Sequence, residues 1–187
     1  MITIDAEKNN LMLLERLFGK LGGRLSKTDI SEACRMTQGE RNNDRKEALY
    51  QMIDNPDIKI GYNALWIFTH FALSDNEWLY DKRNDLIDKL LTCRHTGKTR
   101  LLLTLLERQP IGIDDIRTDY LNFCLSNINS TEPYAIRALC MKQAYAQCRF
   151  YPELLEEFTD VLGLMDCSQL SPGIATARRN ILRQMAR

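Results

Sequence analysis

The chain has 187 residues, of which 44% are hydrophobic and 27% charged, and its 25 basic side chains balance 25 acidic ones. This composition is typical of a globular protein and excludes a disordered one. The neutral charge argues against a dedicated nucleic-acid binder, which usually carries a basic excess. The first residues lack the basic-then-apolar pattern of a secretory signal, and the longest apolar runs are too short to span a bilayer. We therefore expect a cytoplasmic protein.

Helical periodicity runs through most of the chain. Apolar residues recur at three-and-four spacing, as in the stripe Ile60, Ala64, Ile67 and Phe71. Ser74 to Glu77 has the spacing of a capping box, and prolines stand where helices can begin. The predicted helices cover approximately residues 6–20, 28–36, 42–54, 57–72, 76–92, 96–108, 114–127, 132–149, 152–164 and 172–185.

The six cysteines are spread along the chain, and no two have the spacing of a CxxC motif. Most of them stand among apolar neighbours. Because a buried cysteine behaves as a small hydrophobic residue, we expect free, buried thiols.

An internal repeat is the most informative pattern. Four longer helices, each after a shorter apolar helix and a polar turn, are predicted to begin at Pro56, His95, Pro133 and Pro172. These starts are 39, 38 and 39 residues apart. A helix-pair period near 40 residues is typical of an α-solenoid, in which each pair buries its apolar face against the next.

Two segments, Asp54 to Trp66 and Pro133 to Met141, resemble the turn and second helix of a HEAT repeat. Such families place an aspartate or proline in the turn, then a basic residue, then small residues where helices touch. Here the basic position is filled by Arg100, Arg137 and Arg178, and the small position by Ala64, Ala138 and Ala177. The resemblance covers residues 42–187.

The resemblance implies an all-α superhelix of the HEAT or armadillo type, with about four helix pairs in residues 42–187. Residues 1–41 do not follow the period, and we expect them to form an N-terminal helical cap and a linker within a single structural domain. An irregular helical bundle is the alternative, because any chain of similar helices shows some pseudo-period.

The candidate chemical motifs are weak. Thr96 to Thr99 contains the GKT of a phosphate-binding loop, but Thr92 replaces the required earlier glycine and a helix rather than a strand precedes it. Cys93 and His95 could supply two zinc ligands, whereas a structural site needs four. No catalytic arrangement is visible. We therefore predict a non-enzymatic chain without a cofactor or a metal.

The leading functional hypothesis is a scaffold that binds a protein or peptide partner along the second helices. The possible binding face comprises Arg94, Lys98, Arg100, Arg137, Arg178, Trp66 and Trp78. Tryptophan is a frequent hot-spot residue, and a column of basic residues could hold phosphates. The alternative hypothesis is therefore a nucleic-acid-binding protein that resembles HEAT-like DNA glycosylases, which remove alkylated bases.

Overall fold

The computed structural model describes residues 12, 15–166, 168 and 170–186. Within these residues the secondary structure is helical and contains no strand, so the all-α prediction is confirmed. The α-helices are α1 (15–21), α2 (Lys27–Thr37), α3 (Asn43–Gln51), α4 (Ile58–Phe68), α5 (Leu73–Asn76), α6 (Arg83–Thr92), α7 (Thr96–Glu107), α8 (Thr118–Ile128), α9 (Tyr134–Cys148), α10 (Pro152–Gly163) and α11 (Pro172–Met185). Short 3₁₀ helices cover Glu40–Asn42, Met52–Asp54, Glu77–Lys82 and Ile113–Asp115.

The repeat period is regular in the structure. The second helices α4, α7, α9 and α11 begin at Ile58, Thr96, Tyr134 and Pro172, so each start lies 38 residues after the one before. Three of them are capped by a side chain of the preceding residue, which accepts a hydrogen bond from a main-chain N–H of the first turn. The predicted period is confirmed, and the first repeat begins two residues later than the sequence indicated.

The prediction of one continuous helix over residues 76–92 was wrong for the first half of that range. Instead, α5 ends at Asn76, a 3₁₀ segment follows, and α6 begins only at Arg83. Asn76 is buried, and its amide donates to the main-chain oxygens of Phe71 and Ala72 at 3.4 and 3.3 Å. An asparagine that bonds the backbone locally competes with helix continuation. The capping box expected at Ser74 is also absent, because the N-cap residue of α5 is Ala72 and no side chain caps it.

The chain divides into two compact units, Met1–Tyr80 and Asp81–Arg187. In the first unit, an aromatic cluster of Tyr50, Phe68, Phe71 and Trp78 forms part of the core. The ring centroids of Phe68 and Trp78 are 6.2 Å apart and their planes are parallel within 2°. Tyr50 approaches both rings edge-on, at 6.1 and 5.9 Å. Phe68 has no exposed surface, so this cluster fixes α4 against its neighbours.

Polar side chains also connect the helices of the first unit. The buried Asn63 amide on α4 donates to the main-chain oxygens of Leu21 and Gly23, at 2.6 and 3.0 Å. These bonds satisfy carbonyl groups at the C-terminal end of α1, where the helix itself supplies no donor. Gly39 has a φ of 89°, which favours glycine, and its N–H donates to Asp75 Oδ1 at 2.7 Å.

The second unit contains three helix pairs, α6 with α7, α8 with α9, and α10 with α11. Helix α9 packs against α7, α8, α10 and α11, so the second helices α7, α9 and α11 lie in a row with α9 in the middle. Its core is largely aliphatic, with fully buried leucines on α6 and α7 and buried isoleucines on α9 and α11. Such translation from pair to pair is the arrangement expected of stacked repeats.

Five of the six cysteines lie in the described residues, and all five are free thiols. Cys34, Cys124, Cys140 and Cys148 are buried, which confirms the expectation for these four positions, whereas Cys93 is only half-buried. Cys167 lies outside the described residues. Burial raises the pKa of the Cys34 and Cys148 thiols to about 11. These thiols therefore stay protonated at neutral pH and serve as core residues.

Candidate functional site

The second helices of the second unit form a polar groove. It lies between α9 and α11, with the end of α7 at its edge, and has a volume of about 360 Å³. Small and apolar residues, Ala146, Ala177 and Ile181, line its floor. Its polar lining includes Lys142, Arg149, Asn180 and Gln184. A groove of this kind can accept an extended chain or a small polar ligand.

The helical register explains why these side chains meet. Lys142 and Asn180 are each eight residues beyond the first residue of their helix. Ala146 and Gln184 follow them one turn later in α9 and α11. Because side chains four residues apart project from one helix face, the two adjacent helices present matching rows to the groove. The alanines keep the floor low, which leaves room between the rows.

One ion pair lies at the edge of the groove. Lys142 Nζ is 2.5 Å from Glu107 Oε1, and both side chains are substantially exposed. An exposed pair of this type contributes little net stability, so a ligand could displace either partner at small cost. Arg149 lies further along the groove, and its guanidinium donates to the main-chain oxygen of Ile111 at 3.3 Å.

A buried hydrogen bond between α8 and α9 positions one wall of the groove. Gln143 is buried, and its Oε1 accepts a hydrogen bond from the Tyr120 hydroxyl at 3.0 Å. Tyr120 lies on α8 and has no exposed surface, and burial raises the pKa of its phenol well above the usual value. The phenol therefore remains a neutral donor that connects α8 to α9. This contact fixes the orientation of α9, which carries one wall of the groove.

Two of the arginines predicted for the binding face donate hydrogen bonds to main-chain oxygens at the C-terminal ends of helices. Arg137 Nε donates to the main-chain oxygen of Ile128, the last residue of α8, at 2.9 Å. Arg178 Nε donates to the oxygen of Leu162, near the end of α10, also at 2.9 Å. Both side chains are half-buried. Each arginine thus satisfies a terminal carbonyl of the first helix in its own pair.

The remaining basic residues of the predicted face lie at the beginning of α7. Arg94 is exposed in the turn before this helix, and Lys98 and Arg100 are half-buried. The GKT sequence forms the first turn of α7, where His95 Nδ1 accepts a hydrogen bond from the Lys98 N–H at 3.1 Å. A helix start that is capped in this way differs from a phosphate-binding loop, which follows a strand.

The two tryptophans of the predicted face lie in the first unit, in different surroundings. Trp66 is half-buried on α4, between Tyr62 and His70, with ring centroids at 6.2 and 5.7 Å. Ile58, which is 54% exposed, extends this row at the same four-residue spacing. We call Ile58, Tyr62, Trp66 and His70 the α4 stripe. Trp78 instead packs in the aromatic cluster, where Lys46 Nζ is 5.9 Å from the centre of its ring.

Sequence reasoning missed most of the residues that line the groove. Asn180, Gln184 and Ala146 carry no charge or aromatic ring and therefore do not stand out in the sequence, whereas Lys142 is one of the basic residues of the second helices. The available signal was the 38-residue register itself. It aligns position 142 with 180 and position 146 with 184 once the helix starts are correct.

Two further properties concern the part of the chain that the structure describes. It contains no group of three or more histidine, cysteine or acidic side chains that could hold a metal ion. No helix in it is both long and apolar enough to cross a bilayer.

These helix pairs, with their constant register, define an α-helical repeat scaffold. The model of the HEAT repeat domain family matches residues 17–185, so the chain belongs to this family. The family is one of helical scaffolds that commonly mediate protein interactions. No curated protein and no solved structure shows a significant match to the chain.

Proposed function

We propose that this chain is a non-catalytic scaffold that binds a protein partner, and that an extended segment of the partner lies in the groove between α9 and α11. The observation that carries the proposal is the pairing of a low alanine floor with polar rows on two adjacent second helices. Membership of the HEAT repeat domain family supports the proposal, since such scaffolds commonly bind proteins.

The groove chemistry suits the main chain of an extended peptide. The amides of Asn180 and Gln184 each donate and accept, so they can pair with the N–H and C=O groups of a segment that lacks its own secondary structure. Lys142 and Arg149 add positive charge on the opposite wall, which favours a segment with acidic side chains. Glu107 limits this preference, because it already neutralises Lys142 in the free protein.

The α4 stripe is a second proposed contact, on the first unit. Trp66 and Tyr62 are half-buried, and Ile58 is mostly exposed, so the stripe offers apolar area without a cavity. Aromatic residues of this kind often dominate the energy of an interface. The stripe would take an apolar side chain of a partner, whereas the groove would take polar main chain.

Nucleic-acid binding receives less support from the residues. The formal net charge of zero gives no general attraction for phosphate. Arg137 and Arg178 each direct Nε at a helix terminus, which leaves only part of each guanidinium for another ligand. If the alternative function is correct, the full chain will bind duplex DNA at low salt, and the affinity will fall steeply as salt rises.

A selection from a library of random linear peptides against the full chain tests the proposal. Ala146→Arg fills the floor of the groove, and Asn122→Arg on the exposed surface of α8 is the control with the same change in charge. We expect the selected peptides to bind the Ala146→Arg variant at least about tenfold more weakly and the Asn122→Arg variant normally. Failure to enrich any peptide, or equal binding to both variants, would contradict the proposal.

A further inference from the structure

The helix pair at the C-terminal end of the second unit has an open apolar face. A shallow groove of about 450 Å³ lies between α10 and α11, and Leu155, Leu182 and Met185 supply its apolar lining. These residues lie on a different side of α11 from Asn180 and Gln184, which line the polar groove. The open face is therefore a surface separate from the proposed peptide groove.

The repeat register shows that this face is unusual for a second helix. Leu106 on α7 and Ala144 on α9 occupy the same register position as Leu182, and neither has any exposed surface, whereas Leu182 is half-buried. Arg179 occupies the position of Leu103 and Met141, both of which are fully buried, and yet Arg179 is exposed. These positions of α11, which correspond to buried core positions in α7 and α9, are therefore open to solvent.

Charge is separated between the two helices of this pair. Helix α10 carries four acidic residues and no basic one, and α11 carries three arginines and no acidic residue. The acidic residues are Glu153, Glu156, Glu157 and Asp160, and the arginines are Arg178, Arg179 and Arg183. Helices α6 and α7, by contrast, each mix the two charges, and α6 contains the Lys89–Asp85 ion pair at 3.3 Å.

The acidic side chains of α10 have no ion-pair partner among the described residues. None of the four carboxylates lies in a salt bridge there, and Arg183 does not either. Arg179 Nη2 donates a long hydrogen bond of 3.4 Å to Thr176 Oγ1 on its own helix. Opposite charges therefore flank an apolar groove without neutralising each other.

We propose that the α10–α11 face docks a second copy of this chain, with α10 of each copy against α11 of the other about a two-fold axis. Such an interface is self-complementary, because the acidic helix of each copy meets the basic helix of its partner and the contact is made twice. The apolar residues Leu155, Leu182 and Met185 pack at the centre. Helices of 12 and 14 residues are only about 18 and 21 Å long, so the interface is small and the dimer weak.

Two charge-reversal variants of the full chain test the dimer. The first variant, Glu156→Lys with Asp160→Lys, replaces two of the four acidic residues of α10 with basic ones. The second, Arg179→Glu with Arg183→Glu, makes α11 acidic. Sedimentation equilibrium gives the association constant for each protein, and circular dichroism verifies that each variant is folded.

Two further double variants in the first unit are matched controls. Glu40→Lys with Asp44→Lys makes the same change in net charge as the first variant, at the same four-residue spacing. Lys27→Glu with Lys59→Glu makes the same change in net charge as the second. All four control residues are exposed, and none lies on the α10–α11 face.

We expect the wild-type chain to self-associate at low salt, with an association constant that falls as salt rises. Each α10 or α11 double variant alone should associate at least about tenfold more weakly, because the substituted side chains then face residues of the same charge on the other copy. An equimolar mixture of these two variants should recover the association, since the new lysines of α10 then meet the new glutamates of α11 at one contact, and an unchanged α10 meets an unchanged α11 at the other. The controls should behave as the wild type does.

A wild-type chain that stays monomeric at about 0.5 mM, above the micromolar range expected of a small interface, would overturn the proposal. So would a dimer that neither double variant weakens, or a mixture that does not recover association. If a different protein binds this face in place of a second copy, the wild-type chain alone will stay monomeric, which is the first of these results. None of these results affects the peptide groove, which the variants leave intact.

Discussion

The two units build the same kind of helix pair from different side chains. The first unit packs α4 with an aromatic cluster and with the Asn63 hydrogen bonds to the end of α1. The second unit packs its three pairs with aliphatic residues and with a buried contact between Tyr120 and Gln143. At one register position of the second helices stand Trp66, Thr104, Lys142 and Asn180. The comparison teaches that the repeat determines where a second helix begins, while positions outside the core can carry different chemistry.

The largest expected effect tests the aromatic core of the first unit. Phe68→Ala removes a fully buried ring that stacks on Trp78, so we expect it to lower the free energy of unfolding by about 3–5 kcal/mol. Both tryptophans of the chain lie in this unit, so fluorescence during urea unfolding reports on it directly. Phe123→Ala, at a half-buried position in the second unit, is the control and should leave the emission of the folded state unchanged. A small effect of Phe68→Ala would mean that the cluster does not stabilise α4.

The next effect tests whether the register predicts burial in the second unit. Leu106 and Leu182 occupy the same position of α7 and α11, but only Leu106 is fully buried. We expect Leu106→Ala to lower the free energy of unfolding by about 2–5 kcal/mol and Leu182→Ala by about 1 kcal/mol or less. Urea unfolding followed by circular dichroism measures both, at low protein concentration so that self-association does not contribute. Equal losses would show that the α10–α11 face is covered.

A smaller effect tests the structural role of the arginines on the second helices. Arg137→Lys keeps the positive charge but removes Nε, which donates to Ile128 O. We expect a loss of about 1 kcal/mol in the free energy of unfolding, the usual net value of such a hydrogen bond. Arg100→Lys is the control, and should change stability less. If Arg137→Lys leaves stability unchanged, the residue is available for the binding role that the sequence suggested.

The sequence was sufficient for the fold because periodicity and helix starts depend on local chemistry. The caps at Asp57, His95 and Ser171 are local hydrogen bonds, and the buried stripes follow from spacing alone. The failure at Asn76 depends on burial as well as on local chemistry, since that residue is buried and its amide bonds to the backbone of Phe71 and Ala72. Spacing does not reveal which asparagines will be buried in this way.

The candidate site was harder to predict. Arg137 and Arg178 lie four and seven residues after their N-cap residues, and Arg100 lies five after its own, so the three do not share a register position. Charge in the sequence does not distinguish an arginine that binds a helix end from one that faces a ligand. Neutral residues such as Asn180 become conspicuous only when the neighbouring helix is in place. The binding role of the predicted residues therefore stays a prediction.

The smallest expected effect concerns an ion network in the first unit. Lys20 Nζ is 2.7 Å from Asp29 Oδ1 and 3.1 Å from Glu32 Oε2. The hydrogen bond from Lys20, followed by those from Ser26, holds the pKa of Asp29 well below its ordinary value of 3.8. Lys20 likewise lowers the pKa of Glu32 below 4.5. A carboxyl group whose pKa is lowered on folding stabilises the protein above its unfolded pKa, and this contribution is lost as the pH falls through the folded value.

We therefore expect Lys20→Gln to lower the melting temperature slightly near pH 7, and the difference from the wild type to shrink as the pH falls below about 4. The effect is small because all three side chains are partly exposed and the pair is screened by water and salt. Lys27→Gln is the control, because Lys27 is exposed at the start of α2. Asp29 retains part of its low pKa in the variant, since the Ser26 N–H and hydroxyl still donate to Oδ2 at 2.9 and 2.6 Å. A difference between Lys20→Gln and wild type that persists unchanged at about pH 2 would show that Lys20 acts through packing of its methylene chain and not through charge.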